Sequence, residues 1–111
     1  MCAIKPTPTM ALYCATSAGR EMYHSVLAMT TAARILNYAP GSCDTNMQAM
    51  LREHDALDPA VQTYCQSLVS EATLVRCEDT AAELVRRVLE EPDSYQSGER
   101  VEYVNMSTYK Y

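Results

Sequence analysis

The 111-residue chain contains no phenylalanine, no tryptophan and only three glycines. Leu, Ile and Val together supply under a fifth of its residues. With a high net charge such a composition would signal disorder. The net charge is only −5, however, and seven Met, eight Tyr and fourteen Ala restore the apolar volume. The sequence therefore predicts a folded, Met-rich and adaptable core with tyrosines at its edges. No apolar run is long enough to cross a bilayer, and "MCAIKPTPTM" has no signal-peptide apolar run. No basic patch is present, which argues against direct nucleic-acid binding. The five cysteines, Cys2, Cys14, Cys43, Cys65 and Cys77, are odd in number and no pair is spaced C-x-x-C. Reduced thiols in a cytoplasmic protein are expected, with no metal and no cofactor.

The length fits one domain, 1–111, with residues 1–9 as an extended N-terminal arm because "PTPT" opposes helix. Met10, Leu12 and Cys14 alternate, so "TMALYCAT" reads as a strand, although Met, Ala and Leu also suit a first helical turn. A helix is expected over 18–38, its core stripe carried by Met22, Val26, Met29, Ala33 and Leu36. Pro40 and Gly41 stop it. Asp44 or Thr45 caps a short helix through His54, with Met47, Met50 and Leu51 inward. Asp58 and Pro59 open a third helix, whose inner face holds Val61, Tyr64, Cys65, Leu68, Val69 and Ala72.

From residue 73 two readings stand: a buried strand "TLVRC", or a continuing helix, with a break near 77–80 preferred. A capping box of Thr80 and Glu83 then starts a last helix over about 80–91, burying Leu84, Val85, Val88 and Leu89, and Pro92 ends it. "ERVEYVNMSTYKY" alternates as a strand and is expected to pair with the N-terminal one. The predicted class is α+β, mainly α: about four helices with a small sheet formed by N- and C-terminal strands.

Candidate chemistry is thin. If a strand leads into a helix at "YCATSAGREMYH", then Thr16, Ser17, Gly19 and Arg20 sit at a helix N-terminus where free N–H groups attract an anion. The full phosphate-loop and dinucleotide patterns are absent. A Cys14–His24 pair is awkwardly placed for nucleophilic chemistry, and Cys43 with Glu53, His54 and Asp55 is the second such pairing. "YVNM" at 103–106 matches a YxxM phosphotyrosine pattern, which a strand explains better.

Residues 71–102 carry nine acids against four arginines. Glu83, Glu90, Glu91, Glu99 and Glu102 form an acidic face, and Tyr103, Tyr109 and Tyr111 lie on the terminal strand. By elimination the sequence favours a small non-enzymatic protein that regulates or inhibits another protein, docking these surfaces into a basic groove. No catalytic residue is assigned. The alternative is a small phosphate- or nucleotide-binding enzyme or sensor built on 16–20. A homo-oligomer using the 22–36 stripe is the third reading.

Overall fold

The computed structural model describes residues 3–103, and within them the chain is mainly helical. Helix α1 spans Ala11–Thr30, α2 Asn46–Glu53, α3 Pro59–Ser70 and α4 Cys77–Val85. Strands β1 (Asn37–Ala39) and β2 (Arg100–Glu102) form a two-stranded sheet. The α+β, mainly α class is therefore observed. The sheet, however, is not the expected one. It is parallel, with Asn37 opposite Arg100, Tyr38 opposite Val101 and Ala39 opposite Glu102. Parallel neighbours need a long crossover, and α2, α3 and α4 supply it between β1 and β2.

The N-terminal strand does not form, because residues 11–16 begin α1. Three residues of alternation are a weak strand signal, and Ala11, Leu12, Ala15 and Ala18 favour helix. No side chain caps α1 at Met10. The residues before it are instead tied down by contacts: the Thr9 hydroxyl accepts from the Asp58 N–H at 3.0 Å. At the other end, α1 stops at Thr30, eight residues short of the expected Tyr38. Thr30 and Thr31 both turn their hydroxyls back onto the Leu27 carbonyl, and Thr31 is extended. Ala33 and Leu36 thus fall outside the helix, and the expected core stripe of Met22, Val26 and Met29 is exposed.

Helix α2 is capped as expected, Thr45 accepting from the Gln48 N–H at 3.3 Å. Its buried residue is Gln48, while Met47 and Met50 are exposed, contrary to the predicted inner face. Helix α3 follows its sequence signals closely. Asp58 accepts from Ala60 N–H at 2.9 Å, Pro59 takes the first position, and Val61, Cys65 and Leu68 are buried. Val69 is exposed.

Residues 73–76 lie outside any helix, and Val75 is buried in a parallel bridge with Cys43. The last helix then opens at Cys77, three residues before the predicted capping box. Thr80 does not cap it: its hydroxyl donates to the Pro40 carbonyl at 3.1 Å and meets Tyr38 Oη at 3.0 Å. Helix α4 widens into a π turn over Arg86–Glu90, and Pro92 starts a short 3₁₀ turn. Val85, Val88 and Leu89 are exposed rather than buried. The turn before β2 presses on α1. Gly98 has φ +88°, its N–H donates to Ile35 O at 2.7 Å, and a Cβ there would lie 2.9 Å from Ala28 Cβ. No described helix is long and apolar enough to cross a membrane.

Candidate functional site

The inner side of α1, the β1 edge, the loop after it and the first faces of α2 and α3 enclose a cavity of about 640 Å³. Helical spacing explains the α1 wall: Tyr13, Ser17, Glu21 and His24 recur every three or four residues and share one face, with Arg20 beside it. This polar stripe lies opposite the apolar one that the sequence makes conspicuous. The sheet positions the next wall. The Arg100 guanidinium, on β2, pairs with Glu21 of α1 and with Glu102 at 2.8 Å, so the strand and helix are tied by a partly buried ion network. His24 Nδ1 lies 3.0 Å from Asn37 Oδ1, fixing the imidazole to the start of β1. Asn37 in turn donates to the Gly98 carbonyl at 3.3 Å.

Two wall residues are distinctive. The Tyr38 hydroxyl donates to the Thr80 carbonyl at 3.0 Å, and burial pushes its pKa upward. Gln48 is only 7% exposed, yet its side-chain oxygen has no partner among the described residues. A buried amide oxygen without a partner is costly. Gln48 is among the residues that line the cavity.

The sequence-based candidates fare unevenly. Thr16, Ser17, Gly19 and Arg20 lie in the middle of α1, not at a strand-to-helix turn. Interior helical N–H groups are spent on the helix itself, so the anion cradle does not exist. Ser17 and Arg20 reach the cavity as side chains, whereas Thr16 bonds back to the Leu12 carbonyl at 3.0 Å. Cys14 turns to the Lys5 carbonyl and His24 to Asn37, so they form no pair. Cys43 turns to the Pro40 and Gly41 carbonyls, while His54 accepts from Ala56 N–H.

The acidic face is largely self-neutralised. Glu83 is held by Arg86 and Arg87 at 2.8 and 2.6 Å, Glu91 pairs with Arg86, and Glu102 pairs with Arg100. The Glu99 carboxylate accepts from the Gln96 N–H at 2.8 Å, and Glu90 is exposed on the π turn. Tyr103 is exposed, its N–H donating to Ala39 O at 2.9 Å. Tyr109, Tyr111 and residues 104–106 of the YxxM pattern lie outside the described residues. The sequence reading missed Gln48, Asn37, Tyr38 and Arg100. Gln48 stands three residues after the Thr45 N-cap, where a capping box takes glutamine, so nothing in the sequence signalled its burial.

No family model matches the chain. It is, however, similar to sepiapterin reductases. It is 40% identical to the enzyme of Rattus norvegicus over 107 residues, which cover 96% of this chain and 40% of that protein. It is 39% and 38% identical to those of Meriones unguiculatus and Mus musculus over 104 residues, 93% of this chain in each case. The chain thus spans about 40% of the length of these relatives. The similarity overturns the reading of a non-enzymatic regulator or inhibitor: proteins alike along nearly the whole chain carry an enzyme's name. Elimination failed because it asked 111 residues for a complete catalytic set, whereas the relatives that match are more than twice as long.

Proposed function

We propose that this chain forms the substrate-side wall of a reductase acting on sepiapterin or a closely similar pterin ketone. Identity of 38–40% sustained over 93–96% of the chain carries the reading. The cavity supports it. Its volume of about 640 Å³ suits a small heterocycle, and such sites combine apolar walls with a few placed polar groups. A pterin ring offers N–H donors, and the Gln48 oxygen lacks one. Met47, Leu51 and Val61 supply apolar wall nearby.

Reducing a ketone adds a hydride to carbon and a proton to oxygen. The proton side falls to this cavity. Tyr38 is committed to Thr80, and His24 Nδ1 to Asn37. Tyr13 is on the same wall, half-exposed, and we assign it to deliver the proton. The hydride donor is not assigned to these residues. The three glycines, Gly19, Gly41 and Gly98, stand singly, and no Gly-x-Gly-x-x-Gly turn cradles a dinucleotide phosphate. A cytoplasmic setting belongs to the same proposal, supported by Cys14, Cys43 and Cys77 being free thiols.

Titration calorimetry of the folded chain with sepiapterin tests the reading. Saturable binding that weakens about tenfold or more in Gln48→Leu is expected, the cost of one buried hydrogen bond. Absence of binding at millimolar sepiapterin would overturn it. In turnover assays supplied with a reduced nicotinamide, Tyr13→Phe should leave sepiapterin affinity near wild type and lower kcat by roughly 10²–10⁴.

A further inference from the structure

Cys43 and Cys77 are brought together by backbone, not by accident of side-chain rotation. The Val75 N–H donates to the Ser42 carbonyl at 2.9 Å, and the Asp44 N–H donates to the Val75 carbonyl at 3.0 Å. These bonds clamp residues 42–44 alongside Val75 in a parallel bridge. Cys77 follows two residues later as the first residue of α4, and its thiol donates to the Asp44 carbonyl at 3.5 Å. Burial, with Cys77 as the neighbouring group, holds the Cys43 thiol above the usual thiol range. The remaining described cysteines are elsewhere: Cys14 lies by the Lys5 carbonyl, and Cys65 is buried in α3.

We propose that Cys43 and Cys77 are a reversible redox modification site, closing to an intramolecular disulfide by exchange with a low-molecular-weight disulfide of the glutathione type. Cys77 is exposed and Cys43 half-buried, which orders the steps. Cys77 gives its proton to solvent, and its thiolate attacks one sulfur of the oxidant. The oxidant's S–S bond breaks and one small thiolate leaves. Cys43 then loses its proton and attacks the Cys77 sulfur of the mixed disulfide, releasing the second small thiolate. Two protein thiols are oxidised and one small disulfide is reduced to two thiols. The bond ties the loop after β1 to the start of α4. Pro40, Gly41, Ser42 and Cys43 of that loop line the cavity, so the site couples redox state to the freedom of the cavity's rim.

The test needs no ligand and stands apart from the sepiapterin reading. The reduced chain is incubated with oxidised glutathione, its free thiols are alkylated, and its proteolytic peptides are mapped by mass. The expected product is a Cys43–Cys77 cross-link, with Cys14 and Cys65 alkylated and the cross-link reversed by dithiothreitol. Cys43→Ser should convert the product to a stable glutathione adduct on Cys77, and Cys77→Ser should abolish the cross-link. The oxidised wild type should also melt at a higher temperature than the reduced form, a difference absent in both variants. A wild-type chain that retains the Cys77 adduct with Cys43 alkylated, or that links either cysteine elsewhere, would overturn the proposal.

Discussion

At the scale of single residues, two positions stand out by what their surroundings demand of them. Gln48 is a buried amide on a short helix, and Gly98 is a glycine at φ +88° pressed against Ala28. The second is a stability determinant. A methyl group at residue 98 meets Ala28 Cβ at 2.9 Å and also forces a non-glycine residue into left-handed backbone. Gly98→Ala should therefore destabilise the fold by about 1–3 kcal/mol from the backbone conformation alone. Chemical denaturation measures it, and an unchanged midpoint would show that the turn yields freely. Arg34 supports the same region: it donates to the Tyr95 carbonyl at 2.8 Å and its guanidinium stacks 4.9 Å from the Tyr95 ring. Lysine cannot reproduce that planar stack, so Arg34→Lys should loosen Tyr95, seen as greater exposure of its ring in near-ultraviolet spectra.

Among the elements, α4 and its π turn concentrate the charge. The Arg86 guanidinium beside Glu83 holds that carboxyl below its ordinary value of 4.5, with Arg87 adding to the effect. A lowered carboxyl pKa means that the folded form binds the proton less tightly than the unfolded form does. The stabilisation is then complete above the ordinary value and disappears as pH falls through the folded one. Glu83→Gln should accordingly lower the urea midpoint at pH 7 and converge on wild type in acid. A gap constant with pH would assign the effect to packing instead. Exposed pairs contribute little each, so the difference at neutral pH should be small.

The elements also show what was readable in advance. Asp58–Pro59 and Thr45 marked true helix starts because capping is local chemistry, decided within four residues. The strand at 10–15 was misread because three alternating apolar residues fit either period, and the helix propensity of Ala11, Ala15 and Ala18 decided the matter. Thr80 and Glu83 matched a capping box, yet Thr80 was drawn to the Pro40 carbonyl and Tyr38. The pairing of β1 with β2 is set by tertiary contacts across more than forty residues, to which periodicity is blind. The cavity wall on α1 was hidden for a related reason: its polar stripe resembles an ordinary solvated face.

For the whole molecule, the packing is open. Among the described residues no large side chain is fully buried, and the radius of gyration is 15.3 Å, against about 13 Å for a compact chain of this length. The apolar stripe of α1 is bare: Leu12, Met22 and Met29 are 84%, 66% and 85% exposed. Contiguous apolar surface of this kind drives association. The chain alone should therefore self-associate with rising concentration, as read by light scattering. Met22 and Met29 lie off the cavity wall, on the opposite side of α1 from Ser17, Glu21 and His24. The double substitution Met22→Gln and Met29→Gln should suppress association while leaving the proposed sepiapterin binding unchanged. If the double variant still associates, the bare stripe is not the driving surface. If it loses sepiapterin binding as well, the two faces of α1 are coupled and the cavity depends on what covers the helix.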